Sequence, residues 1–235
     1  MTPPLLEISA LRFTAGGRAL LGPVTARVES AGVTVIMGPN GAGKSLFLSA
    51  LHGLLPGHAG SVAWNGVAAE ESRAMRGFVF QNTPVLRRSV AGNIALPLVA
   101  RGVARAERAE RVARALAKAR LDADPRKPAA ALSGGERKRL DLAGAIVTEP
   151  QAVLLDEPAA NLDPASTAAL EAVLGGLAER GIKIILSTHD IAQARRMADE
   201  ILFLDAGRLV EQGPAAELLD APASRAAQKY LRGEL

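Results

Sequence analysis

The chain has 235 residues, 49% hydrophobic and 3% aromatic, and carries a formal net charge of +4. This length suits one globular domain with a sizeable core. The scarcity of aromatic side chains argues against single-stranded nucleic-acid binding, and an ordinary solvated surface explains the mild charge, so no nucleic-acid partner is expected. The sequence contains no cysteine, which excludes disulfides, thiolate catalysis and cysteine metal sites.

The N-terminal segment "MTPPLLEISALRF" lacks the basic start and apolar core of a secretory signal. No apolar run approaches the roughly 20 residues that a membrane-spanning helix needs. We therefore expect a cytoplasmic protein. If it acts at a membrane, a partner must supply the spanning segments.

The first third of the chain is rich in strand patterns. Strands are predicted at "LEISALRF", "VTARV", "VTVIM", "SVAWNG" and "GFVFQ". The third is short and fully apolar, which is typical of a buried parallel strand. A glycine-rich turn follows it, and then "KSLFLSALHGLL" has helical spacing.

The middle of the chain, residues 84–150, is predicted to be a helical subdomain. Its segment "ARGVARAERAERVARALAKARL" is rich in Ala, Arg and Glu and has no strand character. We expect Leu116 and its apolar neighbours to face inward and the arginines to form a solvated face.

Strands and helices alternate again after Pro150. Strands are predicted at "AVLLD", "KIILST" and "EILFLD", with helices between them and a short helix at "SRAAQKYLRGEL". Repeated βα units indicate a mostly parallel sheet with helices on both faces. The prediction is one α/β domain, 1–235, with residues 1–83 and 151–235 forming its core.

The segment "GPNGAGKS" matches the pattern G-x-x-x-x-G-K-[ST] between a predicted strand and a predicted helix. Its glycines allow a tight turn whose backbone N–H groups point at phosphate oxygens. We expect Lys44 to reach the β- and γ-phosphates and Ser45 to hold Mg²⁺.

The segment "AVLLDEP" places two acids at the end of a buried strand. Ligands collect at the carboxyl edge of a parallel sheet, so Asp156 is the candidate partner of Mg²⁺ through water. Glu157 could polarise a water for attack on the γ-phosphate.

Two further side chains end predicted strands. Gln81 could contact Mg²⁺ or the attacking water, and His189 could donate to the γ-phosphate or orient the water and base. His52 and His58 flank a turn with no matching ligands, and we interpret both as structural or exposed.

A second anion site is suggested by "LSGGERKRLDLAGAI", a Gly-Gly turn that opens into an amphipathic helix. A helix start presents free N–H groups and a positive dipole end. The basic residues 137–139 could add positive potential near the phosphates or solvate this helix, and we expect solvation.

The order "GPNGAGKS", Gln81, "LSGGE", "AVLLDE", "NLD" and His189 resembles the ATP-binding cassette (ABC) ATPases over nearly the whole chain. "LSGGE" is highly specific to that family. The resemblance implies a P-loop NTPase fold with an N-terminal antiparallel β subdomain and an inserted helical subdomain that carries the signature motif.

The resemblance also implies functional residues. The catalytic set is Glu157, His189, Gln81 and Lys44. The Mg²⁺ set is Ser45, Gln81 and Asp156. The ATP-binding set is Phe13, Gly38, Pro39, Asn40, Gly41, Ala42, Gly43, Lys44, Ser45, Leu46, Gln81, Ser133, Gly134, Gly135, Glu136, Asp163 and His189. Phe13 is placed in this set as a stacking partner of adenine, and the alternative is a core residue at the end of an alternating strand.

Three features depart from the commonest family pattern. Leu46 replaces a second hydroxyl residue, Ala159 stands where threonine often follows Glu-Pro, and "ERKR" replaces a glutamine-rich continuation. None removes a catalytic group.

In this family two cassettes pair head to tail, and each signature motif closes over the ATP of the other. One cassette per chain therefore implies a homodimer with two composite sites. The resemblance further implies integral membrane permease subunits, met by the loop "NTPVLRRSVAGNIALPL" on the inner face of the membrane, and a periplasmic or extracellular solute-binding protein.

The segments "GAGKSLFLSALHGLL", "VFQNTPVLRRSVAGNIALPL" and "ARRMADEILFLDAGRLVEQGPAAELL" most resemble cassettes of tungstate-type oxyanion importers. Phosphate or amino-acid import, lipid trafficking and lipoprotein release remain alternatives. A non-transport ABC ATPase is a further one, although no sustained heptads suggest a coiled coil. A GTPase would need the absent N-K-x-D pattern and would leave "LSGGE" unexplained.

Overall fold

A computed structural model describes residues 5–29 and 31–234. The first four residues of the segment analysed for a signal lie outside the described residues. The strands are β1 (Leu6–Ala15), β2 (Arg18–Val28), β3 (Val33–Met37), β4 (Ala59–Trp64), β5 (Val67–Ala68), β6 (Arg76–Val79), β7 (Ala152–Asp156), β8 (Lys183–Thr188), β9 (Glu200–Asp205) and β10 (Arg208–Pro214). The α-helices are α1 (Lys44–His52), α2 (Val90–Ile94), α3 (Leu96–Ala100), α4 (Arg105–Lys118), α5 (Gly134–Ile146), α6 (Pro164–Glu179), α7 (Ile191–Met197), α8 (Ala215–Asp220) and α9 (Arg225–Leu231). Short 3₁₀ turns cover Arg73–Met75 and Ala129–Ala131.

The larger sheet has six strands in the order β10-β9-β3-β8-β7-β6. The pairs from β9 through to β6 are parallel, and β10 alone runs antiparallel to its neighbour β9. In register, Val35 of the central strand lies between Leu186 and Ile201. The prediction of a mostly parallel central sheet is therefore confirmed.

The smaller sheet has the order β2-β1-β4-β5 and is antiparallel throughout. Leu6, Ile8 and Leu11 of its long first strand are buried, whereas several intervening residues face solvent. One buried and one solvated face is what the alternating sequence pattern predicts. The N-terminal antiparallel β subdomain is thus confirmed.

The central sheet separates two hydrophobic cores. Val35 and Met37 point into a core formed with the helices α2–α9, whereas Ile36 points into a core formed with α1 and the smaller sheet. Neighbouring residues on a strand face opposite ways. A fully apolar strand such as β3 is therefore required, because both of its faces are covered.

Helices α2–α5 all lie between β6 and β7 in the chain. Leu116 of α4 is buried, and Arg111 and Arg114 on its outer side pair with Glu107 and Glu110 one turn earlier. This matches the expected solvated face. The exact division of the chain at residues 84 and 150 stays a prediction.

Two differences from the sequence analysis bear on the site. Strand β6 stops at Val79, so Gln81 does not end a buried strand but lies two residues beyond it with an exposed side chain. β10 and α8 were not predicted. For β10 the reason is that the edge strand "RLVEQGP" is half exposed and lacks a clear apolar period. Within residues 5–29 and 31–234, no helix has the length and apolar character needed to cross a bilayer.

Candidate functional site

The topology brings four chain segments to one edge of the larger sheet. The glycine-rich loop follows β3, Glu157 follows β7, His189 follows β8, and Gln81 lies just beyond β6. These four strands are adjacent and parallel, so their carboxyl ends meet at the same edge.

The loop between β3 and α1 needs its glycines. Gly38 has φ of 148°, and a Cβ there would lie 2.0 Å from the Leu204 carbonyl oxygen. Gly43 has φ of 94° and forms the N-cap of α1. The loop therefore turns directly into a helix start, where the first N–H groups lack intrahelical partners and can bind an anion.

Lys44 is 6% exposed and lies under this loop. Its Nζ donates to the carbonyl oxygens of Gly38 (2.9 Å) and Pro39 (3.1 Å). Burial lowers the pKa of Lys44, while the negative charges of Glu157 and Asp156 oppose that shift. A cation is thus held at the base of the loop, where phosphate oxygens would meet it.

Glu157 is the point on which three other side chains converge. Its Oε1 lies 3.7 Å from Lys44 Nζ and 3.3 Å from His189 Nδ1. Gln81 Nε2 donates to its Oε2 at 3.2 Å. Lys44, Gln81 and His189 belong to separate segments, so only the tertiary fold creates this cluster.

The backbone at Glu157 is unusual for a residue with a side chain, since its φ is 41°. This left-handed conformation costs on the order of 1 kcal/mol. Its N–H donates to Ser187 Oγ at 2.9 Å, and Ser187 Oγ donates to Asp156 Oδ1 at 2.6 Å. Ser187, which no sequence pattern indicated, fixes both acids through one hydroxyl.

A cleft of about 590 Å³ opens above the loop. It is lined by Asn40, Gly41, Gly43, Lys44, Ser45, Leu46, Gln81, Glu157, Ala160, Asn161 and His189. Nine of these eleven lining residues belong to the predicted catalytic and ATP-binding sets. Ala160 and Asn161 belong to neither set, although Asn161 begins the motif "NLD".

The signature residues do not line this cleft. Ser133 Oγ accepts from Glu136 N–H (3.3 Å), and the Glu136 carboxylate accepts from Ser133 N–H (2.7 Å), which is a capping box at the start of α5. Gly134 is exposed and Gly135 is buried. The helix start is therefore well formed but belongs to a different surface.

Six further predicted residues also lie outside the cleft lining, namely Phe13, Gly38, Pro39, Ala42, Asp156 and Asp163. Asp163 caps α6, where its carboxylate accepts from Ser166 N–H at 2.9 Å. Phe13 is partly buried against the core that contains α1. Asp156 is buried behind the cleft, with its carboxylate on Ser187.

The two other histidines are structural, as expected. His52 is buried edge-on against Phe78, and burial together with the nearby Arg76 lowers its pKa to about 4. His58 Nδ1 lies 2.8 Å from the Leu55 carbonyl oxygen.

Tyr230 of α9 also supports the site, although nothing in the sequence pointed to it. Its hydroxyl donates to the backbone oxygen of His189 at 2.8 Å, and its ring packs edge-on against Phe203. The last described helix thus holds the backbone that presents His189.

The side chains available for a metal ion are oxygen donors. The Ser45 hydroxyl, the Gln81 amide oxygen and the Asp156 carboxylate are of the kind that Mg²⁺ prefers. Two of these residues, Ser45 and Gln81, line the cleft, so this donor set fits Mg²⁺ bound together with nucleotide phosphates.

A phosphate loop at the carboxyl edge of a parallel sheet, beside a strand-end acid, defines a P-loop nucleoside triphosphatase. The ABC transporter family model matches residues 21–160. The chain belongs to the ABC transporter family, whose ATP-binding subunits are ATPases.

Several known proteins are similar over most of the chain. A methionine import ATP-binding protein from Caulobacter vibrioides is 37% identical over 230 residues, which covers 94% of this chain and 69% of the relative. A tungstate uptake system ATP-binding protein from Peptoclostridium acidaminophilum is 36% identical, covering 88% and 97% respectively. A phosphate import ATP-binding protein from Thermotoga maritima is 32% identical, covering 99% of both chains.

The solved structure of cbiO1 from Clostridium perfringens, part of an ABC transporter complex, has a similar fold. Its TM-score is 0.81 at 27% sequence identity, and the match covers 98% of each chain. The P-loop α/β architecture with its two sheets is therefore that of an ABC cassette.

Proposed function

We propose that this chain hydrolyses ATP at the cleft above the β3–α1 loop to power a membrane importer. The observation that carries the proposal is the convergence of Lys44, Gln81 and His189 on Glu157 beside that loop. Each group has chemistry that phosphoryl transfer to water requires.

In this proposal the loop N–H groups and Lys44 hold the phosphates. Glu157 accepts a proton from the attacking water, and His189 orients that water or donates to the γ-phosphate. Ser45, Gln81 and Asp156 would hold Mg²⁺, which neutralises charge on the phosphate oxygens when bound. Phe13 would stack on adenine, as the resemblance to the family implies.

The variant Glu157→Gln tests the catalytic role, because it keeps the shape of the side chain and removes the proton acceptor. We expect hydrolysis to fall at least about 100-fold. The dissociation constant for ATP should stay within about threefold of wild type, since the phosphate loop is unchanged. The measurements are phosphate release and equilibrium ATP binding on the same preparation, and hydrolysis near the wild-type rate would contradict the assignment.

The signature residues do not line the cleft of their own chain, which supports a head-to-tail homodimer. Ser133, Gly134, Gly135 and Glu136 form a helix start outside that cleft. The positive end of a helix dipole suits the phosphates of a second copy. Asp163 would lie at the same contact, because the hydroxyl of Ser166 donates to Asp163 and Ser166 packs against Gly135.

An apolar groove of about 440 Å³ supports a membrane partner. It lies where α3 and α5 meet the loop after β6, and Phe80, Leu86 and Leu96 on its rim are 49%, 38% and 40% exposed. Exposed apolar residues around a groove are typical of a protein contact. We assign the groove to a cytoplasmic segment of an integral permease, which would hold the chain on the inner face of the cell membrane.

For the cargo we propose an oxyanion of the tungstate type, delivered to the permease by a periplasmic or extracellular solute-binding protein. Support comes from the resemblance of three segments and from the tungstate uptake relative, which matches over 97% of its length. The test is ATP hydrolysis by the complex reconstituted with the permease and binding protein encoded beside this chain. Stimulation by tungstate supports the proposal, whereas stimulation by methionine, ferric ion or phosphate instead would overturn it.

A further inference from the structure

The loop that carries Gln81 is tied to helix α5 by a lysine. Lys138 Nζ donates to the backbone oxygen of Gln81 at 2.5 Å and contacts that of Phe80 at 3.5 Å. Residues 137–139 were expected to solvate the helix, and this is wrong for Lys138, whose side chain is partly buried against the loop. Arg137 remains exposed.

A second residue of α5 contacts the same loop. Asp141 lies three residues after Lys138, on the same face of the helix. Its carboxylate attracts the Lys138 ammonium group and lines the same groove as Thr83. Two side chains of opposite charge on one helix thus lie against residues 80–83.

We propose that Lys138 is a positioning residue that holds Gln81 in reach of Glu157. Gln81 contacts Glu157 only through its side-chain amide, at 3.2 Å, from an exposed loop. Anchoring the Gln81 carbonyl restricts the backbone from which that amide extends. This inference rests on the proposed role of Gln81 in hydrolysis.

The same contact joins two parts of the proposed machinery. Helix α5 begins with Gly134 and Gly135 and carries Lys138 one turn later. A shift of α5 on contact with the second copy therefore moves the Gln81 loop with it. Among the described residues, Lys138 makes no hydrogen bond to the phosphate loop between β3 and α1. Its loss should therefore affect the chemical step more than ATP binding.

The test is Lys138→Met, which keeps the aliphatic stem and removes the donor. We expect kcat for ATP hydrolysis to fall about 10-fold, with ATP affinity within about twofold of wild type, because misplacement weakens the chemical step. Lys138→Arg retains a cationic donor and should recover most of the rate. Lys118→Met is the matched control, since Lys118 lies on α4 beside Glu149.

The double variant with Gln81→Ala shows whether Lys138 acts through Gln81. If it does, Lys138→Met adds no further loss in the Gln81→Ala background. Losses that multiply, or a rate for Lys138→Met equal to that of Lys118→Met, would overturn the inference.

Gln81→Ala alone separates this inference from the proposed function. If that variant hydrolyses ATP like wild type, the proposed role of Gln81 in hydrolysis is wrong. Hydrogen exchange of the amides of residues 80–83 then tests whether Lys138 anchors the loop. Faster exchange in Lys138→Met than in Lys118→Met supports the anchor, and equal rates overturn it.

Discussion

At the scale of single residues, the site is organised by short polar contacts that span distant parts of the sequence. Glu157 meets Lys44, Gln81 and His189, and Ser187 bridges Glu157 to Asp156. The backbone of Glu157 keeps its strained conformation because these contacts together fix the position of the residue. The carboxylate is consequently held at one position above the phosphate loop.

Asp141 allows a test of electrostatics at this scale. Burial raises its pKa from 3.8 to about 6, against the opposing effects of Lys138 and Thr83. A raised carboxyl pKa means that the folded state binds the proton more tightly than the unfolded state does. The ionised group therefore costs stability above about pH 6, and this cost disappears as the pH falls towards 4.

We expect Asp141→Asn to be more stable than wild type at pH 8, on the order of 2 kcal/mol, and equal to it near pH 4. The measurement is urea unfolding at both pH values. Asp122→Asn, which changes an exposed aspartate, is the control and should stay within about 0.5 kcal/mol of wild type. A stabilisation that does not depend on pH would argue against a buried charge at Asp141.

At the scale of elements, the start of α5 packs against the start of α6. Gly135 is buried there, and a Cβ on it would lie 2.5 Å from Ser166 Oγ and 2.9 Å from Ser166 Cβ. Ser166 cannot turn away freely, because its hydroxyl donates to Asp163 Oδ2 at 2.6 Å. The second glycine of the signature therefore has a packing role besides its proposed role in binding ATP.

Gly135→Ala should lower the free energy of unfolding by about 1–3 kcal/mol through overpacking. Gly134→Ala is the matched control, because a Cβ at Gly134 meets open space and alanine favours a helix. Thermal or urea unfolding distinguishes them. Adding Ser166→Gly should restore the loss, and equal stability of the two alanine variants would refute the packing argument.

At the scale of the whole molecule, the phosphate loop and the signature do not line the same cleft. The cleft is lined by residues that follow β3, β6, β7 and β8, whereas the signature caps α5. A site that uses both requires a second copy. ATP binding would then favour the closed dimer, and hydrolysis would open it.

Ser133→Arg tests this arrangement, because a long side chain at the helix start blocks the contact with a second copy's nucleotide. We expect ATP binding by the monomer to stay nearly unchanged and hydrolysis to be lost. Glu157→Gln should elute as a dimer with ATP in gel filtration, and the double variant with Ser133→Arg should not. Normal hydrolysis by Ser133→Arg would rule out composite sites.

Much of the fold follows from local patterns. The apolar runs of β3, β7 and β8 and the glycine-rich loop predicted a parallel sheet with a phosphate site at its edge, and the structure confirms that sheet. The edge strand β10 escaped prediction because it is half exposed and borders β9 on one side only.

The sequence by itself determined the phosphate loop, the acids at the end of β7 and the signature, because each depends on residues adjacent in the chain. Only the tertiary structure decided which side chains meet. Ser187, Tyr230 and Lys138 contact Asp156, His189 and Gln81 across 31, 41 and 57 residues. Such contacts depend on strand order and helix packing, which no local pattern encodes.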